Sequence, residues 1–125
     1  MRIIKMREIK FRCFAVQGDE MIAPDDVLTI YDNRKLNESL ISDDDHIFEQ
    51  YTGLKDVNGV EIYEGDLVKK DDDKFVKAGV VSFIHGCWMV ASKSGEQYFN
   101  LHWHLSQVEV IGNIHQHPEL LEQKQ

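Results

Sequence analysis

The stretch from Gln50 to Lys69 reads QYTGLKDVNGVEIYEGDLVK. Asn58-Gly59 is the strongest short hairpin signal in the chain. A two-residue type I′ turn needs positive φ at both central positions, and Asn followed by Gly meets that need at the least steric cost. Val57 and the run from Val60 to Tyr63 supply strand residues on either side. Glu64-Gly65 marks a second turn, where Asp66 is placed to accept backbone N–H groups. The stretch therefore predicts short antiparallel strands joined by tight turns.

Downstream the same rhythm continues. Leu67 to Lys69 is a strand, and Lys70 to Lys74 (KDDDK) is a solvated tip. Phe75 to Ile84 (FVKAGVVSFI) is a long strand, apolar on both faces, with Gly79 suited to a bend or bulge. His85-Gly86 turns the chain into Cys87 to Ala91 (CWMVA), and Lys93-Ser94-Gly95 turns it into Gln97 to Leu101 (QYFNL). His102 to Gln107 is a connector with room for one 3₁₀ turn. Val108 to Ile114 closes the series, with Val108, Val110, Gly112 and Ile114 on one face. Pro118 at a first helical position, followed by Glu119, Leu120 and Leu121, predicts a short terminal helix. Five short strands with a connector before the last follow the order of an SH3-like barrel. A generic β-sandwich or an open roll are the competing arrangements.

Upstream, Ile9 to Val16 alternates apolar Ile9, Phe11, Cys13 and Ala15 with Lys10 and Arg12, as a half-buried strand does. Gln17 to Glu20 is a turn in which Gly18 can take positive φ. Met21 to Ala23 returns as a strand stopped by Pro24, giving an N-terminal β-hairpin. Asp25 to His46 is irregular and rich in aspartate, and reads as a loop-rich insertion. It lacks the alternating acids, central glycine and distal glutamate of a calcium loop. Ile47 to Thr52 resumes strand character.

The 125 residues carry 14 Lys and Arg against 22 Asp and Glu, a formal net charge of −8. This length fits one domain able to fold without metal or disulfide. An acidic body repels phosphate backbones and disfavours general nucleic-acid binding. The N-terminus departs from that balance, with Arg2, Lys5, Arg7, Lys10 and Arg12 opposed by Glu8 alone. The plain reading of that end is the solvent face of a strand. Cys13 and Cys87 each sit in an apolar strand-like run and are expected as small buried thiols in a reducing compartment, not as a disulfide. The N-terminus has no apolar h-region and no run approaches transmembrane length, so neither a signal peptide nor a membrane partner is expected.

REIKFRCF (Arg7 to Phe14), the Gln50 to Lys69 string, GVVSF (Gly79 to Phe83) and EVIGNIHQHPELL (Glu109 to Leu121) occur in this order. Together they resemble the YopX family of bacteriophage and prophage proteins, over about Arg7 to Leu121, with Asp25 to His46 as the variable part. The resemblance implies a mainly β protein with an SH3-like barrel part, encoded by a phage or prophage and working in the bacterial host cytoplasm. Family members lack an assigned activity, so no catalytic residue or cofactor is carried over.

The residues themselves offer three candidate constellations. His102/His104 and His115/His117 have i, i+2 spacing, which on a strand places two ligands on one face. A metal site would still need Cys87 or an acid from elsewhere. Surface or hydrogen-bonded histidines are the ordinary reading. The aromatics Tyr63, Phe83, Trp88, Tyr98, Phe99 and Trp103 read mainly as core. A shallow groove for a peptide or unstacked bases is the functional alternative, with Tyr63, Trp88 and Trp103 its first candidates. The basic set Arg2, Lys5, Arg7, Lys10 and Arg12 is the nucleic-acid candidate. No serine has a nucleophile-elbow pattern, and no helix follows Gly53, Gly59 or Gly65 to make a phosphate cradle.

The expectation is a single YopX-like domain over 1–125, mainly β. It comprises an N-terminal hairpin lobe over about 1–56 with the insertion 25–46, an SH3-like barrel over about 57–114, and a short C-terminal helix within 115–125. The expected role is a non-enzymatic accessory protein that binds another protein or itself as a homo-oligomer, with no cofactor, metal or catalytic residue assigned. The alternatives are a nucleic-acid-binding accessory protein using the basic N-terminus, and a small metal-dependent enzyme using the histidine pairs.

Overall fold

Two antiparallel sheets meet at Gly65. The structure, a computed structural model, describes residues 8–26, 46–70 and 78–121. Most of the expected insertion, the tip after Lys70, the start of the long strand and the basic residues Arg2, Lys5 and Arg7 lie outside the described residues. Strands β1 (Phe11–Ala15), β2 (Glu20–Ile22), β3 (His46–Lys55) and β4 (Glu61–Tyr63) form a four-stranded sheet in the order β2-β1-β3-β4. Strands β5 (Asp66–Lys70), β6 (Gly79–Ile84), β7 (Cys87–Ala91), β8 (Gln97–Asn100) and β9 (Val108–Asn113) form a five-stranded sheet in the order β8-β7-β6-β5-β9. A 3₁₀ segment, His102–Gln107, links β8 to β9. The protein is mainly β, as expected.

The N-terminal hairpin forms with Cys13 opposite Ile22. Its outer turn takes positive φ at Asp19 and not at Gly18. Ten-residue β3 pairs with β1 through its first half and with β4 through its second. β4 therefore belongs with the N-terminal strands, not with the later series where the sequence placed it.

Asn58-Gly59 makes a hairpin but not a type I′ turn. Gly59 has φ 81°, while Asn58 keeps negative φ. The loop is one residue longer, Val57-Asn58-Gly59, closed by Asp56 N–H to Val60 C=O (2.8 Å) and Gly59 N–H to Asp56 C=O (3.0 Å). This is the three-residue hairpin with one left-handed residue at its end. Asp56 explains the choice, because its Oδ1 accepts from the N–H groups of Asn58 (2.8 Å) and Val60 (2.9 Å). The two-positive-φ geometry appears instead at His85-Gly86 (φ 51° and 79°), between paired Ile84 and Cys87.

Three more expectations are corrected. The predicted C-terminal helix is a single 3₁₀ turn, Pro118–Leu121. The proposed common face of Val108, Val110, Gly112 and Ile114 is broken by a register shift, with Val68 opposite Val110 but Leu67 opposite Gly112. A bulge of this kind flips the alternation. Cys13 is buried and free as expected, but Cys87 is free and exposed, since it directly follows the His85-Gly86 turn.

The core is aliphatic. Ile62, Val68, Val81, Val90, Leu101 and Val108 are fully buried, and Leu54, Trp88, Phe99 and Leu105 pack against them. Each such side chain stabilises by about 1.5–3 kcal/mol relative to exposure. Ile62 and Leu54 come from the N-terminal sheet, so both sheets share this core. Backbone bonds reinforce the join: Gly65 N–H to Val81 C=O (2.9 Å), Ile114 N–H to Gly65 C=O (2.9 Å) and Val57 N–H to Val108 C=O (3.0 Å).

Candidate functional site

Two features stand out from the scaffold, a buried ionic cluster and a surface cleft. The cluster starts from cross-strand partners Arg12 on β1 and Glu49 on β3. Arg12 Nε and Nη2 each lie 3.1 Å from Glu49 Oε1, and Nη1 lies 2.7 Å from Asp66 Oδ1. Nη2 also donates to Glu64 C=O at 3.3 Å. Asp66 Oδ2 accepts the Tyr63 N–H at 2.8 Å, as the sequence suggested. His115 Nε2 lies 2.9 Å from Glu49 Oε2, and its ring stacks on Phe14 with centroids 4.5 Å apart. The Arg12 side chain is 11% exposed, Glu49 6% and Asp66 3%. Burial pushes the Asp66 carboxyl above its ordinary range, opposed by the Arg12 charge and the Tyr63 N–H. Gly65 makes room for the cluster, since a Cβ there would overlap the Glu49 carboxylate. Four chain segments, β1, β3, the β4–β5 turn and the loop after β9, are thus tied at one point.

Beside it, Lys10 Nζ lies 2.6 Å from Glu61 Oε2 and 4.9 Å from the centre of the Tyr51 ring. The bond to Glu61 holds the Lys10 ammonium above its ordinary pKa. Tyr63 is buried, with its hydroxyl 3.2 Å from Glu61 Oε1. Desolvation, helped by the Glu61 charge, pushes its phenol up to about 12. Tyr63 is therefore packed into the scaffold.

The other two aromatic candidates do come together. Thr52 and Leu54 of β3, Cys87 and Trp88 of β7, Asn100 of β8, and His102 and Trp103 of the 3₁₀ segment line a shallow cleft of about 280 Å³. Trp88 is half-buried, packs on the core, and meets Phe83, its cross-strand partner, edge-on at 4.9 Å. Trp103 is 80% exposed and Phe83 57%. The β-ladder face that carries Val81 and Val90 in the core carries Phe83 and Trp88 at its end. The apolar core therefore runs out to the surface at this cleft.

The histidine pairs do not converge. His115 meets Glu49, and His117 Nδ1 accepts the Asn113 N–H at 3.1 Å. His104 lies edge-on to Phe99 at 5.1 Å, and His102 is exposed in the cleft. No group of three or more His, Cys, Asp or Glu among the described residues is placed to hold a metal ion. Of the basic set, Lys10 and Arg12 are held in the ion pairs above. The sequence reading missed the ionic cluster. Its one visible signal was Glu49, which sits between Ile47 and Tyr51 on one face of a strand. A carboxylate at a core-facing position needs a buried cation as partner.

These features define a two-sheet β protein with an internal ionic clasp and an aromatic cleft. The chain belongs to the YopX protein family, whose model matches residues 10–122. No curated protein matches it. The crystal structure of protein EF1440 from Enterococcus faecalis is similar, with a TM-score of 0.54 and 21% sequence identity over 93% of this chain and 99% of that one. At that identity the likeness bears on the fold alone. No helix among the described residues is long and apolar enough to cross a membrane.

Proposed function

We propose that this YopX-family chain is a non-enzymatic binding module that takes a segment of another protein at the Trp88–Trp103 cleft. The observation that carries this reading is Trp103, 80% exposed at the rim of a cleft continuous with the core. Indoles held half-out of water on a rigid element are the usual anchors of protein contacts. The strand order β9-β5-β6-β7-β8, with a 3₁₀ segment before β9, supports an SH3-like barrel as the scaffold. The family resemblance supports a phage or prophage accessory protein in a bacterial host cytoplasm.

The test compares the wild-type chain with Trp103→Ala on two measurements, retention of host-lysate proteins and molar mass by light scattering. The expected result is a partner, or a second copy, held by the wild type and lost by the variant at unchanged melting temperature. A strict monomer that retains nothing overturns the reading. The nucleic-acid alternative has less support, because Lys10 and Arg12 already have internal carboxylate partners. A gel shift at low salt that is lost on neutralising Arg2, Lys5 and Arg7 would restore it.

A further inference from the structure

The Asn58-Gly59 pair carries chemistry of its own, independent of the cleft. Both residues are exposed. A glycine leaves the backbone nitrogen after an asparagine unshielded, and nothing lies within 4 Å of where a Gly59 Cβ would stand. An asparagine so placed can react with its own backbone. The Gly59 nitrogen attacks Asn58 Cγ and a C–N bond forms. The Cγ–Nδ2 bond breaks, and the Gly59 amide proton leaves with the departing nitrogen as ammonia. Water then opens the cyclic imide at either carbonyl, giving aspartate or isoaspartate.

The folded hairpin opposes the first step. The Gly59 N–H donates to Asp56 C=O at 3.0 Å, and Asp56 Oδ1 accepts the N–H groups of Asn58 at 2.8 Å and Val60 at 2.9 Å. Asp56 is buried, and its Oδ2 accepts the Val110 N–H of β9 at 2.9 Å, so the restraint is anchored in the second sheet. The attacking nitrogen must also give up its proton. Asp56 and Glu109, whose Oε1 lies 3.5 Å from Asn58 Nδ2, disfavour a second negative charge there. Reaction therefore requires the loop to leave this geometry.

We propose that Asn58 is a self-modification site that Asp56 keeps dormant, converting to aspartate or isoaspartate when the hairpin opens. Either product sets a second carboxylate beside Glu109. Isoaspartate also lengthens the backbone within the loop that Asp56 closes, which loosens the join to β9. To test this, the full chain is aged at neutral pH, folded and in guanidinium chloride, and peptide maps read amide loss and isoaspartate at each asparagine. Asn100 and Asn113 are internal controls, because Leu101 and Ile114 shield the following nitrogen. The expected result is conversion at Asn58 that folding slows by at least about tenfold, with both controls slow throughout. Asp56→Ala raises the folded-state rate roughly tenfold, the factor for loss of one buried acceptor. Arg12→Met destabilises the chain away from this loop and leaves that rate within about twofold, because conversion follows local opening. No conversion at Asn58 in denaturant, or conversion as fast in the folded chain, overturns the proposal. So does an Asp56→Ala rate equal to wild type, or equal acceleration by Arg12→Met.

Discussion

Replacing Arg12 by Met removes the one cation shared by two buried carboxylates while keeping a side chain of similar length. In the native chain the guanidinium lies 2.7 Å from Asp66 Oδ1 and 3.1 Å from Glu49 Oε1. Glu49 and Asp66 are both nearly inaccessible to water. Breaking a buried pair by deleting one partner costs about 3–5 kcal/mol, because a charge is left without compensation. His115 stays beside Glu49 and offsets part of that, so the lower end, about 3 kcal/mol, is expected. In urea this lowers the midpoint by about 2 M at unchanged m, and the melting temperature falls by roughly 10 °C. The triple variant Arg12→Met, Glu49→Gln, Asp66→Asn separates charge from packing. With no buried charge left unpaired it recovers at least half the loss, whereas a loss due to the arginine stem would persist. A cost below about 1 kcal/mol, as for a surface ion pair, would refute the reasoning. So would a triple variant no more stable than the single one.

Other outcomes follow from the same geometry. Gly65→Ala meets left-handed strain at φ 85° and displaces the Glu49 carboxylate, whereas Gly95→Ala at φ 98° meets open space. Gly95→Ala should cost only the backbone term of about 1–2 kcal/mol, and Gly65→Ala at least about twice that in the same denaturation assay. Asp56→Ala leaves the N–H groups of Asn58, Val60 and Val110 without their acceptor, for about 2–4 kcal/mol. Faster amide exchange at Val60 and Val110 is its signature. The Asp66 carboxyl is raised by burial. The native state therefore binds its proton more tightly than the unfolded chain does, and this contribution is full below the ordinary carboxylate pKa and lost as pH rises through the raised value. Asp66→Asn abolishes that dependence, so in urea unfolding at a series of pH values its stability relative to wild type should rise as pH climbs from the ordinary carboxylate range through the raised value.

Much of the β-strand pattern could be read from local signals. β7 and the 3₁₀ segment His102–Gln107 fall on the residues where alternation and turn chemistry placed them. What failed was non-local. The Asn58-Gly59 turn type depended on Asp56, whose Oδ2 is held by Val110 N–H at 2.9 Å, 54 residues away. Local propensity contains no such term. β4 joined the N-terminal sheet because Ile62 fills a core built mainly from later strands while its backbone pairs with β3. The helix expected after Pro118 has four residues, too few to offset helix nucleation without a packed face. At the site, Trp88 and Trp103 could be named but not joined, since fifteen residues and two turns separate them. Tyr63 looked the same in sequence and proved to be scaffold.

The string that marks the family also bears on where function sits. Along it, Thr52 ties to Ile62 C=O, Asp56 holds the hairpin to β9, Gly59 takes the left-handed turn, and Gly65 and Asp66 accommodate the ionic cluster. Each of these residues satisfies a backbone group or a buried charge, and none presents a reactive group to solvent. Within the string, Thr52 and Leu54 line the cleft. The exposed aromatics Phe83 and Trp103 come from outside it. On the proposed reading, the residues that would meet a partner lie outside the string, and the clasp lies within it and the strands it ties. Substitutions at Trp103 should therefore alter binding with little change in stability, and substitutions at Arg12 or Gly65 should do the reverse. A Trp103→Ala variant that loses as much stability as Arg12→Met would place the indole in the scaffold and remove the cleft as a recognition site.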